Sequence, residues 1–268
     1  MDISLIRKFD TVNKLVRENN KLYFKYINEY RISIIGKKNI KFDNISSKEK
    51  IEVAEHIFFD LLEDFSLGID YSLTAFNNNH PSIGFTLLRK PVRDLLAAME
   101  FIAIDSNKFV SGIIDNNLKV IDVGSKENRS YIEDEMTDII KNTRYFPLID
   151  KELLSHLFEL RYDASEGNGG LSLFLNQSIH LVTRSKNIKT AKGKLNMLST
   201  SRPDALITGI YYFSLPYFYT YLNFLIIYIF EVAFNKNNQY VLEKTNELIP
   251  FNVSYHDCIL DLEETARK

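Results

Sequence analysis

Two arginines at helical spacing are the first residues in this sequence that could bind a ligand. Arg89 and Arg93 lie four positions apart in an apolar stretch, so a helix would place both guanidinium groups on one face. An arginine held against a core requires an anionic partner, because an unpaired buried charge is very costly. We favour an internal ion pair with Asp94, Glu100 or a carboxylate of another helix. The alternative is an anion pocket that includes His80, at the start of the same helix, where the helix dipole also favours negative charge.

A basic segment in the C-terminal half is the second candidate for ligand binding. Residues 167–203 contain no acidic side chain but carry six positive charges, on Arg184, Lys186, Lys189, Lys192, Lys194 and Arg202. The segment 184–202 could bind the phosphates of RNA or DNA. His180 precedes it and could act as an acid or a base, because imidazole titrates near neutral pH. A basic loop is also an ordinary solvated surface, and the net charge of −2 argues against broad nucleic-acid affinity.

Familiar catalytic and metal-binding motifs are missing from the sequence. It contains no Walker or Rossmann glycine loop, no His-Glu-x-x-His and no Gly-x-Ser-x-Gly. The single cysteine, Cys258, cannot form an intramolecular disulfide or a cysteine-based zinc site. The five histidines are scattered along the chain, at His56, His80, His156, His180 and His256. We therefore expect neither a metal site nor a cofactor.

Apolar residues recur at helical spacing along most of the chain, which predicts an all-α protein. Ser46 to Glu49 form a capping box that begins a helix, and Gly68 is a predicted stop within the apolar pattern that follows. Pro91 and Pro216 should kink two central helices. The other predicted helices are one or two in the first thirty residues, one from Pro81, and the segments Lys151–Tyr162, Leu171–Val182, Ala205–Phe230 and Gln239–Ile249.

These elements predict a single domain, an all-α bundle of about eight to ten helices. The chain has 268 residues, of which 45% are hydrophobic and 25% charged, and no linker-like stretch divides it. Residues 1–45 should form an N-terminal helix and loop that pack on a core of residues 46–250. Residues 251–268 are predicted to form an acidic tail.

The segment from Ala205 to Phe230 tests whether the protein is soluble. It has no charged residue and is long enough to span a bilayer. Its tyrosines, however, are spread along its length, and it contains Asn223 and a central Pro216, whereas a membrane span is richer in Leu, Ile and Val. We favour a buried core helix over membrane association. The N-terminus lacks the layout of a signal peptide, so we expect a cytoplasmic protein, and the wealth of Asn, Ile, Lys, Tyr and Phe suggests an AT-rich bacterial genome.

The order of two segments resembles a known family. Phe85 to Arg89 lead into an apolar helix, and Leu171 to His180 later end in a polar-x-x-x-His turn. This order, over about residues 50–235, resembles the helical HEPN proteins (higher-eukaryote and prokaryote nucleotide-binding). It is also similar to uncharacterised bacterial helical proteins found near defence genes.

The resemblance implies several functions. Family members that cleave RNA carry an arginine, a polar residue and then a histidine; here the histidine is His180, and Asn176 stands where the arginine should be. This departure implies a bacterial binding or interaction protein, in phage defence or a toxin–antitoxin pair, with a protein partner or a second copy. The alternative is a metal-independent ribonuclease that uses His180 with Arg161 or Arg184. A third hypothesis is a membrane-associated protein anchored by residues 205–230.

Overall fold

All regular secondary structure in the described residues is helical. The structure, a computed structural model, describes residues 3–36, 45–117, 122, 125–143, 149, 151–162, 171–179 and 205–266. These residues form α1 (Ile3–Ile34), α2 (Ser47–Asn77), α3 (Pro81–Arg89), α4 (Leu96–Ile114), α5 (Lys126–Asn142), α6 (Lys151–Tyr162), α7 (Leu171–Ile179), α8 (Ala205–Tyr228) and α9 (Asn238–Ala266). Two π-helical segments follow α3 and α8, at Lys90–Leu95 and Ile229–Ala233. The predicted all-α bundle is confirmed.

Local signals in the sequence explain where several helices begin. At the start of α2, the Ser46 hydroxyl accepts a hydrogen bond from the Glu49 amide at 3.3 Å, and the Glu49 carboxylate accepts one from the Ser46 amide at 2.8 Å. This is the predicted capping box, which satisfies two amides that have no partner within the helix. Pro81 occupies the first turn of α3, where its missing N–H is not needed.

Helix α8 lies at the centre of the bundle. It packs against α1, α4, α6 and α9, and it contributes fully buried side chains that include Tyr211, Phe218 and Leu222. One of its buried polar side chains, that of Asn223, bonds to two of the helices around it. Asn223 donates hydrogen bonds to Asn19 and Asn252, at 3.0 and 2.8 Å. The buried Asn223 side chain therefore has protein hydrogen-bond partners on two neighbouring helices.

The stretch Ile207–Ala233 is long and apolar enough to cross a membrane. Within its apolar window, 83% of the residues are buried inside the bundle. A core helix passes the same test of length and composition, so this stretch is only weak support for membrane association.

Two predicted helix ends are wrong. Helix α2 does not stop at Gly68 but runs on to Asn77, and Gly68 lies against Pro91: a Cβ atom there would lie 2.5 Å from Cγ of Pro91. Helix α9 does not end at Ile249 but continues through Pro250 to Ala266, so most of the predicted acidic tail is helical. Its inner side chains, among them Tyr255 and Leu262, are buried.

The two predicted proline effects have different outcomes. Pro91 lies in the π-helical segment Lys90–Leu95, which joins α3 to α4 without a break in the helical path. A proline cannot donate the backbone hydrogen bond of an α-helix, and a π-helical turn is one way to accommodate this loss. Helix α8 runs through Pro216, and its π-helical segment begins only at Ile229.

Candidate anion-binding site

A fully buried ion pair forms the base of the candidate site. Glu100 on α4 and Arg161 on α6 are both 0% exposed. The Arg161 guanidinium donates from Nη1 to Oε1 of Glu100 at 2.6 Å and from Nη2 to Oε2 at 2.9 Å. Such a two-point contact matches the planar shapes of both groups. The pair fixes α6 against α4 in the interior.

Two tyrosines add hydrogen bonds to this pair, while Nε of Arg161 has no hydrogen-bond partner among the described residues. The Tyr221 hydroxyl, from α8, donates to Oε1 of Glu100 at 2.8 Å, and Arg161 donates to the Tyr162 hydroxyl at 3.0 Å. Burial opposes the charge on Arg161, but the adjacent Glu100 carboxylate outweighs it and holds the pKa of Arg161 above its ordinary value. Burial, reinforced by Glu100, also raises the pKa of Tyr221 well above its usual range. Glu100 therefore sits between a permanent cation and a neutral phenol.

The π-helical segment brings a second guanidinium to the same place. Arg93 lies in this segment, and its guanidinium carbon is 5.5 Å from the centre of the Tyr162 ring. Arg129 of α5 approaches the same ring at 5.2 Å, and Arg161 does so at 4.9 Å. Aromatic faces attract cations at such distances. Three arginines from three parts of the chain thus surround one aromatic ring.

Arg93 is half-buried, yet no carboxylate of the described residues forms an ion pair with it. Its side chain donates one hydrogen bond, from Nη1 to Oδ1 of Asn176 on α7, at 3.0 Å. Burial and repulsion from Arg89 both lower the pKa of Arg93. A guanidinium remains charged in proteins even so. Arg93 is therefore a permanent positive charge whose hydrogen-bond acceptor is the neutral amide of Asn176.

Arg89 is placed one helical turn before Arg93, at the end of α3, and it too lacks an anionic partner among the described residues. Its Nε atom is buried and has no hydrogen-bond partner among the described residues. This N–H can therefore donate to an acceptor that the described residues do not supply. The two arginines present positive charge that the described part of the protein does not neutralise.

The structure brings together only some of the residues singled out in the sequence. Arg89 and Arg93 lie close together, but neither forms the favoured ion pair with a carboxylate of the described residues, and Glu100 pairs with Arg161 instead. His80 is exposed at the opposite end of α3, about 13 Å along the helix axis from Arg89 at 1.5 Å per residue. His180, Arg184, Lys186 and Lys189, with the remaining basic residues up to Arg202, lie outside the described residues.

Sequence reasoning missed Tyr162 and Arg129. Tyr162 follows Arg161 directly, and the sequence marks both only as the end of an amphipathic helix. Arg129 lies in a region of mixed charge and carries no distinguishing pattern. The sequence also does not predict the contact of Asn176 with Arg93, which depends on the packing of α7 beside α3.

A second concavity has the opposite character. A groove of 470 Å³ is lined by Glu135, Asp138 and Glu231, together with Tyr228 and several smaller contacts. No group of three or more histidine, cysteine or carboxylate side chains suited to a metal ion assembles in the part of the chain that the structure describes. The arginine cluster is thus the better-defined candidate for ligand binding.

Comparison with protein-family models, with curated proteins and with solved structures finds no match to this chain.

Proposed function

We propose that this protein is a binding protein that holds the phosphate group of a ligand at Arg89 and Arg93. The observation that carries the proposal is the half-buried Arg93 guanidinium, which has an amide oxygen as its hydrogen-bond acceptor and no carboxylate in the described structure. A guanidinium offers paired N–H groups that fit a phosphate. An anion here would also relieve the repulsion between Arg89 and Arg93 that contributes to the lowered pKa of Arg93.

The residues beneath Arg93, Arg161 and Tyr162, favour ligand binding over catalysis. Arg161 is occupied by Glu100 on two nitrogens, so it supports the site without being available to a ligand. Tyr162 bonds to Arg161, and burial raises its pKa, so it stays a neutral phenol beside the cations. We assign to Arg161 and Tyr162 the role of holding the π-helical segment, whose Arg93 carbonyl accepts from the Tyr162 hydroxyl at 3.4 Å.

The experiment is a calorimetric titration of the protein with inorganic phosphate, with pyrophosphate and with a nucleoside monophosphate. Arg93→Gln should weaken binding about 10- to 100-fold, since a hydrogen bond to a charged group contributes about 1.5–3 kcal/mol. The control is Lys90→Gln, because Lys90 is exposed and bonded to Asp64. The Lys90→Gln variant should bind the phosphate compounds with the same affinity as the unchanged protein.

Two results would contradict the proposal. One is the absence of measurable binding for all three phosphate compounds. The other is an equal loss of affinity in Arg93→Gln and Lys90→Gln, because general attraction to a positive surface, and not a site, would then explain the binding.

A metal-independent ribonuclease is the second candidate. In its favour, Arg93 reaches Asn176, so a guanidinium from the π-helical segment lies beside the position where the resemblance to HEPN proteins asks for an arginine. RNA cleavage without added metal, lost in both His180→Ala and Arg93→Gln, would replace simple binding with this function. Binding of phosphate without cleavage would retain the first proposal.

The cellular role is part of the same proposal. The resemblance to helical HEPN proteins supports a cytoplasmic role in bacterial phage defence or in a toxin–antitoxin pair, in which the phosphate belongs to RNA or to a nucleotide. The basic residues 184–202 would add further phosphate contacts. Membrane association through residues 205–230 has only the length and composition of α8 in its support.

A further inference from the structure

The ligand of the proposed site must balance the positive charge of two arginines. Arg89 and Arg93 lie one helical turn apart, and neither forms an ion pair with a carboxylate of the described residues. Arg161 needs no further anion, because Glu100 bonds to two of its nitrogens. Arg129 has contacts of its own, including a bond to a backbone carbonyl. The charge left for a ligand in the described structure is therefore that of Arg89 and Arg93.

Asp94 follows Arg93 in the chain but does not balance it. The Asp94 side chain is exposed and forms no ion pair with the described residues. Burial and then repulsion from Arg89 lower the pKa of Arg93, and together they outweigh the opposite effects of Tyr162 and Asp94. Charges that are partly removed from water interact more strongly than charges in water. An anion therefore binds best here when it brings enough negative charge for both arginines.

We propose that the site selects a phosphate monoester, which is a terminal phosphate group with two negative charges, over an internal phosphodiester. This inference rests on the proposed function and names the class of ligand that the site takes. A phosphate monoester carries a charge of about −1.5 to −2 at neutral pH, because its second proton leaves near pH 6. Each phosphodiester of a nucleic-acid strand carries one negative charge. A diester would therefore leave one of the two guanidinium charges without a counter-charge.

The hydrogen-bond donors of the two arginines favour the same class of ligand. A guanidinium is a planar fork that binds two acceptor oxygens at once. Arg93 donates from Nη1 to Asn176, and Nε of Arg89 is buried without a partner among the described residues. The three terminal oxygens of a monoester serve two such forks, with one oxygen shared between them. A diester has only two unesterified oxygens, so a two-point contact with one arginine leaves no separate oxygen for the other.

The pH dependence of binding separates the ligand's ionisation from that of the protein. The described charged and titratable groups around Arg93 are Arg89, Asp94, Glu100, Arg129, Arg161 and Tyr162. The arginines remain charged throughout, and burial raises the pKa of Tyr162, so the phenol remains neutral. The carboxylates are the groups that acid could protonate. Sulfate stays a dianion over the whole pH range of the experiment, so it serves as the control for titration of the protein.

Calorimetric titration with methyl phosphate and dimethyl phosphate tests the class of ligand. Near neutral pH the monoester should bind at least about 10-fold more tightly than the diester, because it makes a further charge-assisted contact. Its affinity should rise as the pH increases through about 6, whereas the affinity for sulfate should stay constant. Equal affinity for the two esters would overturn the inference and retain phosphate binding at the arginines. A parallel rise for sulfate would also overturn it, because the protein and not the ligand would then be titrating.

Arg89→Gln tests whether the second positive charge makes the selection. Its affinity for methyl phosphate should fall by about 10-fold or more, its affinity for dimethyl phosphate should fall less, and the two should become similar. Arg89→Lys keeps the charge and should still prefer the monoester, which separates loss of charge from disturbance of α3. Lys90→Gln is the matched control, because Lys90 is the next residue but is exposed and bonded to Asp64. An unchanged preference in Arg89→Gln, or the same loss in Lys90→Gln, would overturn the inference.

Free nucleotides and the phosphorylated ends of nucleic-acid strands both carry a phosphate monoester. A nucleoside monophosphate, and a trinucleotide with and without a terminal phosphate, distinguish these two sources. Binding of the nucleoside monophosphate alone would identify a free nucleotide, and binding of the phosphorylated trinucleotide but not of its unphosphorylated form would identify a strand end. Equal binding of the two trinucleotides would overturn the inference, because internal diesters would then be sufficient.

Absence of binding by every monoester would overturn the inference as well. Titration with inorganic phosphate then shows whether the proposed function fails with it. Binding of inorganic phosphate that is lost in Arg93→Gln would retain a phosphate site, whereas no binding of that ion would contradict both proposals.

Discussion

Glu100 and Arg161 are the residues whose burial most limits their chemistry. Both charges are removed from water, and their attraction offsets that loss only because the contact is two-pronged and Tyr221 supplies a further donor. Neither group can leave the pair without exposing the other as an uncompensated buried charge. Their interaction should therefore appear as a strong coupling between two substitutions.

Glu100→Gln should destabilise the protein by about 3–5 kcal/mol, because it leaves the buried Arg161 cation without its counter-charge. The double variant Glu100→Leu with Arg161→Met should recover much of this loss, since it replaces both charges with apolar groups. Urea unfolding of the single and double variants measures the coupling. As a control, Glu63→Gln breaks an ion pair with the half-exposed Arg31 and should change stability by less than about 1 kcal/mol. Additive effects at Glu100 and Arg161 would show that the pair is not coupled.

The sequence identified Glu100 as a candidate ion-pair partner for a buried arginine, but it did not identify Arg161 as that arginine. Local spacing favours partners on the same helix, such as Arg93, whereas the actual partner lies 61 positions along the chain. The choice depends on how α6 packs against α4, which helical periodicity does not specify. Arg93 is left over as a result, and this is why the candidate site exists.

At the level of elements, the contact between Gly68 and Pro91 explains why the sequence around Gly68 was wrongly interpreted as a helix end. Glycine lowers helix propensity, which makes Gly68 a reasonable stop on local grounds. In the structure the helix continues through Gly68, whose missing side chain lets α2 approach the proline ring. The same approach supports the π-helical segment that positions Arg93.

Gly68→Ala should destabilise the protein by about 1–3 kcal/mol, as overpacking of a tight contact does. The added Cβ would lie 2.5 Å from Cγ of Pro91, so α2 or the π-helical segment must shift. Gly209→Ala is the matched control in α8, because no other side chain or element of the described residues lies within 4 Å of the position that its added methyl group would occupy. There, the gain in helix propensity should leave stability unchanged or raised by up to about 1 kcal/mol. Thermal unfolding of both variants distinguishes them, and equal effects would argue against the close contact.

For the whole molecule, hydrophobic periodicity was sufficient to predict the fold class. The helix from Lys151 to Tyr162 has its predicted bounds, and the capping box begins α2 where expected. Periodicity was insufficient wherever a tertiary contact set the outcome, as for the partner of Arg161 and the continuation of α9 past Pro250.

The tyrosine-rich interior gives the whole molecule a predictable response to alkaline pH. Among the described residues, five tyrosines have fully buried side chains and pKa values raised well above the ordinary value, chiefly by burial: Tyr23, Tyr211, Tyr219, Tyr221 and Tyr255. Their pKa values are raised in the folded state, so the folded protein resists losing these protons. The stabilising contribution is complete below the unfolded pKa of about 10 and is lost as pH rises above it.

We therefore expect the buried tyrosines to ionise together with unfolding and not before it. Ultraviolet absorbance reports tyrosinate, and circular dichroism reports helix, so the two titrations should share their late phase above about pH 10. Tyr255→Phe should move this transition to higher pH, because it removes one ionisable group whose buried hydroxyl has no hydrogen-bond partner. Tyr219→Phe removes an ionisable group too, but it also loses the 2.6 Å bond to Asn20, so it should lower stability at neutral pH where Tyr255→Phe does not. Complete ionisation near pH 10 with the helices intact would contradict a sealed aromatic core.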